Sequence, residues 1–335
     1  MNAIYSLVRL LIFAALSVAF SIDVDAQERK VIIVVGAAGM AEYGEQFETW
    51  ANNWESAIEA GKDSRLSLAK IGLNPAGETS DWNQLKAAIE STKKEIDEVW
   101  VVLIGHGTDD RTNSKFNLRG QDVTATQLND WLAPLPCRTI LINCASASGG
   151  FVNKLKGPNR IVMTATKSPA QYNFARFGQY LSESIADPAL DLDKDQQTSL
   201  LEAFVAASSR AQEFYIEETR LATELAMIDD NGDGMGTPAT WFEGTRVVRK
   251  SKTGNPDGFA ANQVFLIRRG AEAKLSSEQR KQRDVLEAEL EAIRVRRQFF
   301  DEDDYLLAIE PVLLKLAKIY ESVETASVPV QTDSE

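Results

Sequence analysis

Four short apolar runs constrain this chain more than anything else in it. They are Val31–Val35, Val99–Ile104, Thr139–Ile142 and Ile161–Thr164. Each is nearly continuous rather than alternating, the pattern of a strand covered on both faces. Between the first two, Phe47, Trp50, Trp54 and Ile58 recur at helical spacing, and Trp82, Leu85, Ala88 and Ile89 mark a second helix. Between the second and third, Thr124 and Gln127 form a capping box opening the segment Gln127–Leu132. Strand–helix–strand repetition predicts an α/β fold: a mostly parallel sheet with right-handed crossovers, flanked by helices.

Past residue 174 helices dominate. One is expected from Ser199 through Phe204, Ala207 and Ala211, followed by loops around a short strand between Met235 and Asp257. After Lys274 the composition shifts to Glu, Arg, Leu and Ala. Leu286, Leu290 and Ile293 mark one helical face, and Leu306, Ile309, Leu313, Leu316 and Tyr320 mark another at heptad-like spacing. The acidic stretch Asp301–Asp304 separates them, so a helical hairpin over 271–323 is expected after an α/β domain over 27–270. Pro311 should start or kink the second helix, and residues 324–335 read as a disordered tail. The hairpin packs on the main domain or holds a protein partner.

The first 26 residues read as an export signal. Arg9 precedes the apolar run Leu10–Phe20, and Val24-Asp25-Ala26 places small residues at the −3 and −1 positions. The expectation is a protein exported to the periplasm or secreted, with a buried N-terminal helix or an uncleaved anchor as the alternatives. A net charge of −13 repels phosphate backbones, so nucleic acid is not an expected partner. The only two cysteines, Cys137 and Cys144, flank a predicted strand. Seven extended residues span about 23 Å, whereas a disulfide needs α-carbons within about 7 Å, so the thiols should be separate.

The chain has one histidine. His106, in Ile104-Gly105-His106-Gly107, follows one predicted strand, and Cys144, in Ile142-Asn143-Cys144-Ala145-Ser146, follows the next. Sites on parallel sheets collect outside the carboxyl ends of strands. A thiolate attacks a carbonyl and an imidazole manages the protons. Cys144 is therefore the candidate nucleophile and His106 the acid/base, with the amides of Gly107 and Cys144 around the oxyanion. Ser146 and Ser148 lie nearby but outside a G-x-S-x-G elbow. One His and two separated Cys make a poor zinc site.

An apolar strand ending in His106-Gly107, then one ending in Cys144 and a small Ser/Gly-rich segment, resembles the dyad of the caspase–legumain clan. Gly36-Ala-Ala-Gly-Met-Ala-Glu-Tyr43-Gly44-Glu-Gln46 resembles the loop after the first legumain strand. Lys115–Asp122 and Arg160–Thr166 are similar to bacterial legumain-like proteins. The resemblance covers residues 30 to 185 and implies a caspase-like fold, a thioester intermediate, peptide or protein substrates and no required cofactor. The legumain Arg that reads an Asn side chain is matched by Gly44, and Glu-Ala before the nucleophile by Ile142-Asn143. Arg111, Arg119, Arg176 and Ser146 are candidates for lining the substrate pocket.

Asp191, Asp193, Asp195 and Glu202 occupy positions 1, 3, 5 and 12 of an EF-hand loop, a candidate calcium site, although Gln196 stands where the turn wants Gly. Ser199 and Glu202 equally form a capping box. The similar Asp229–Gly234 loop lacks the twelfth-position carboxylate and reads as a solvated turn. The preferred expectation is a cysteine endopeptidase. Its rivals are a catalytically inactive binding module on the same scaffold and a peptide ligase or transamidase.

Overall fold

The computed structural model describes residues 28–75, 77–249 and 256–325; the expected leader (1–26) lies outside them. In chain order the elements are β1 (Arg29–Val35), α1 (Ala41–Gly61), β2 (Leu66–Ile71), α2 (Asp81–Glu90) and β3 (Glu98–Ile104). A small three-stranded sheet follows, of β4 (Gly107–Asp109), β5 (Ser114–Phe116) and β6 (Val123–Thr124), then α3 (Ala125–Leu132), β7 (Arg138–Asn143), α4 (Gly150–Lys154), β8 (Arg160–Thr164) and α5 (Phe177–Ser184). After α6 (Leu200–Glu217) come β9 (Met227–Asp229), β10 (Thr237–Pro238), α7 (Phe259–Asn262), α8 (Gly270–Lys274), α9 (Ser277–Val295) and α10 (Glu302–Thr325).

The main sheet runs β2-β1-β3-β7-β8-β9-β10. The first five strands are mutually parallel, β9 runs antiparallel to β8, and β10 runs antiparallel to β9. The protein is therefore mixed α/β, with a mostly parallel central sheet flanked by helices. All four apolar runs are interior strands. On one face Ile33, Trp100, Ile140 and Ile161 pack against Phe47, Trp50 and Trp54 of α1 and Phe177 and Leu181 of α5. On the other, Ile32, Val101, Leu141 and Val162 pack against Leu85 and Ile89 of α2 and Leu128 of α3.

Local chemistry accounts for several ends. The expected capping boxes form at Thr124–Gln127 and Ser199–Glu202. A third, Ser276–Gln279, opens α9 six residues later than the expected hairpin start. The hairpin closes through a short turn at Arg297–Phe299, and α10 continues to Thr325, past the expected start of the tail; residues 326–335 lie outside the described residues. Pro311 sits inside α10 rather than at its start. The heptad face on α10 is also divided. Ile309, Leu316 and Tyr320 are half-buried beside the buried Val312 and Val323, whereas Leu306 and Leu313 are exposed.

Ion pairs tie the amino end of the sheet to the C-terminal elements. Arg29 is fully buried and donates to the carbonyls of Phe265 (2.8 Å) and Leu266 (2.7 Å) and to Asp63 (2.6 Å). Arg138 of β7 reaches Asp284 of α9 at 2.8 Å, and Arg283 of α9 holds Glu272 at 2.6 Å. Breaking one partner out of a buried pair costs far more than trimming an exposed one. Arg29→Met should lower the unfolding free energy by about 3–5 kcal/mol, measured by urea denaturation. Lys281→Met, which removes the exposed pair to Asp97, should change it by less than about 1 kcal/mol.

Candidate functional site

The carboxyl edge of the sheet is where β1, β3 and β7 end, and His106 and Cys144 leave it at different heights. In the β3–β7 ladder Val102 pairs with Ile142 and Leu103 with Asn143. One further step sets Ile104 opposite Cys144, and the Cys144 amide indeed donates to the Leu103 carbonyl at 2.9 Å. His106 lies two residues beyond Ile104, and its neighbour Gly107 meets Ser146 rather than Cys144. The chain turns only after the thiol, where Asn143 Oδ1 accepts the Ala145 N–H at 3.0 Å.

Cys144 therefore continues the inward-facing row Ile140, Ile142 and is 1% exposed. Helix α5 lies directly over it: a Cβ added to Gly178 would come within 2.6 Å of the Cys144 Cβ and 2.9 Å of the Trp50 ring. Burial pushes the Cys144 thiol up to about 12, and the nearby Glu224 carboxylate pushes in the same direction. At neutral pH only about one molecule in 10^5 would carry the thiolate, the form that attacks carbonyls. Cys137 is likewise buried and free, and its thiol is also raised by burial.

His106 sits in a ring of aromatic side chains. Tyr43 (4.9 Å between centroids), Phe47 (5.1 Å) and Phe174 (6.1 Å) surround it edge-on. Its Nε2–H donates to the Ala38 carbonyl at 3.2 Å, which leaves Nδ1 as the basic nitrogen. No hydrogen bond joins this imidazole to Cys144 among the described residues. Burial lowers the His106 pKa, more than the bond to Ala38 restores it. Sequence patterning finds Phe47 and Trp50 by helical period. It misses Tyr43 and Phe174 as neighbours of His106, because Phe174 lies in an irregular segment with no period to read.

The expected oxyanion donors are engaged elsewhere. The Cys144 amide belongs to the ladder. Gly107 N–H points to Ser146 Oγ at 3.4 Å, and that hydroxyl donates to the Gly107 carbonyl at 3.3 Å. Gly107 is required here because a Cβ would come within 2.3 Å of the Ser146 carbonyl oxygen. The glycine thus serves close backbone packing rather than an approaching substrate, and Ser146 is buried.

The candidate arginines separate. Arg119 grips Asp81 with two bonds of 2.6 and 2.8 Å at the start of α2. Arg111 lies in the exposed β4–β5 turn, held by Asp109. Only Arg176 comes near His106: its guanidinium stacks 4.0 Å from the Phe214 ring and 5.7 Å from Phe174. Its backbone N–H and that of Phe177 donate to Glu224, an interaction the sequence does not announce. Two cavities of about 320 and 280 Å³ open elsewhere, one beside Arg268 and Arg280, the other beside Tyr215 and Glu224. Neither is lined by His106 or Cys144.

At the acidic loop, ligand atoms of Asp191, Asp193 and Asp195 converge within 4.8 Å of one another. Asp191 accepts the amides of Asp195 and Gln196 at 3.1 Å each, and Gln196 adopts the positive φ of 71° expected of Gly. Glu202 does not complete the set: its oxygens accept Leu192 N–H at 2.6 Å and Ser199 N–H at 2.7 Å. The expected four-carboxylate site therefore reduces to three, because the helix cap claims the fourth. The Asp229 loop is also not a solvated turn. Asp229 is buried and accepts from Gly232 and Gly234, and the buried Asp257, pushed up to about 8 mainly by burial, accepts from Asp230 N–H and Thr237.

A folded-state pKa below the unfolded value means that His106 contributes stability above about pH 6.5, which is lost as pH falls through that window. Because it is the only histidine, its proton NMR titration is unambiguous. The midpoint should lie below 6.5, and His106→Gln should remove the matching decline in melting temperature between pH 7.5 and 5.

No family model and no curated protein matches the sequence. Solved structures that resemble it include the Drosophila initiator caspase Dronc, at 13% identity and a TM-score of 0.42, covering 64% of this chain and 82% of that one. Caspase-1 from Spodoptera frugiperda matches at 11% identity and a TM-score of 0.36, covering 61% and 87%. The α/β class rests on the sheet order itself.

Proposed function

We propose that this chain is a binding module on a cysteine-peptidase-like scaffold rather than a working peptidase. The observation that carries the reading is the burial of Cys144 within the β3–β7 ladder beneath α5, with its thiol neutral and its amide already bonded. Thiol catalysis needs an accessible sulfur paired with a base and open donors for the oxyanion. In their place the carboxyl edge offers a half-buried aromatic surface of Tyr43, His106 and Phe174 beside Arg176, with Met40 and Tyr172 exposed in the flanking segments. Aromatic and Arg side chains of this kind are what protein contacts draw on. The partner would be a peptide or protein segment presenting an apolar or acidic side chain, met outside the cytoplasm if residues 1–26 act as a leader.

The rival is a Cys144–His106 endopeptidase, or a ligase using the same thioester. It is favoured by one observation, that both residues leave adjacent parallel strands at the same edge. It requires Cys144 to leave the ladder.

Incubation with a peptide library, with and without calcium, separates the two. The binding reading expects the protein, Cys144→Ala and His106→Ala to be equally inert. Cleavage by the parent that falls by about a hundredfold or more in both variants would establish the peptidase and end the binding reading.

A further inference from the structure

We propose that helix α10 is a dimerisation surface that pairs antiparallel with α10 of a second copy of this chain, about a two-fold axis at Glu310. The helix has 24 residues and a length of about 36 Å. Its inward side is satisfied by Val312, Val323 and their half-buried neighbours. Its outward side carries four leucines, Leu306, Leu307, Leu313 and Leu314, exposed by 52%, 66%, 44% and 56%. Such an apolar stripe on an otherwise charged helix marks a contact surface.

The pattern of the stripe names the occupant. Leu306 and Leu314 stand four residues either side of Glu310, and Leu307 and Leu313 stand three either side. Offsets of three and four share one helix face. A two-fold axis through residue 310 therefore sets Leu306 against the partner's Leu314 and Leu307 against the partner's Leu313, each contact made twice, as an isologous interface requires.

Charge follows the same symmetry. The first turn of α10 carries Glu302, Asp303 and Asp304 with no basic residue, while both basic residues of the helix, Lys315 and Lys318, lie in its second half and balance Glu321 and Glu324 there. Among the described residues neither lysine has an ion-pair partner within the chain. Antiparallel pairing brings Glu302 level with the partner's Lys318, eight residues either side of the axis. A parallel pairing would set the acidic turns against each other. One unfavourable feature remains inside the interface: the two copies of Glu310 meet at the axis, and that repulsion weakens the dimer and fixes its expected response to substitution.

Sedimentation velocity over a range of concentrations, combined with cysteine cross-linking of the purified protein, tests the proposal. The protein should dimerise reversibly. Glu310→Gln should tighten the dimer about fivefold, the factor one unit-charge repulsion across a few ångströms of water is worth, and Leu307→Asp should give monomer with an unchanged circular dichroism spectrum. On mild oxidation Glu310→Cys should form an intermolecular disulfide, while Lys315→Cys, on the far side of the helix, should not. The native Cys137 and Cys144 are buried. A protein that stays monomeric at every concentration, or cross-links equally from positions 310 and 315, overturns the proposal. So does a dimer indifferent to both Glu310→Gln and Leu307→Asp.

Discussion

The pairing of β3 with β7 is the constraint on which the reading of this protein depends. Its register sets Leu103 against Asn143 and carries the ladder one residue further, to the bond from the Cys144 amide to the Leu103 carbonyl. In a pleated strand side chains alternate faces, so a thiol one place beyond Asn143 must point where Ile142 and Ile140 do not block it but continue into the same core. Sliding the pair by one residue would turn the sulfur and the whole apolar row onto the opposite face, against α2 and α3, and the close packing on both faces forbids that. The position of one sulfur is thus decided by dozens of buried atoms along two strands.

The two ends of the sheet are built from different chemistry. At the amino end, charged groups are buried and paired: Arg29 with Asp63 and two carbonyls, Glu98 among Arg138 and Arg268, Arg283 with Glu272. Arg138 of β7 also reaches Asp284 of α9, which ties the sheet to the C-terminal hairpin and fixes how it docks, a role for which geometry matters more than net stabilisation. At the carboxyl end the half-buried groups are aromatic, and the one imidazole is held by rings and a carbonyl. The hairpin is thereby anchored through α9, which leaves the outer face of α10 unencumbered.

Much of the fold was legible in the sequence, because four interior strands read as continuous apolar runs and two helix starts carried capping boxes. Edge and short elements were not. Leu66–Ile71 alternates with Ser67, Ala69 and Lys70, since only part of an edge strand is covered, and β4 to β6 are too short to show a period. The candidate site was legible as a pair of strand ends but not as a register. Counting residues places His106 and Cys144 at the same edge, whereas only the ladder reveals that one lies two steps deeper. The hydrogen bonding of the acidic loops was not legible either: spacing does not show that Glu202 and Asp229 accept nearby backbone amides. On α10 the heptad pattern merged two apolar faces that the structure separates.

The central claim is that Cys144 is a core residue of the folded protein, and its reaction with a small thiol reagent across a denaturant series tests this most directly. If the account holds, Cys144 reacts only through global unfolding. Its apparent opening free energy then equals the stability measured by circular dichroism and falls with the same denaturant slope. If Cys144 instead reacts in the absence of denaturant at a rate near that of a free thiol, the sulfur is presented by the native fold, and the peptidase becomes the reading to pursue.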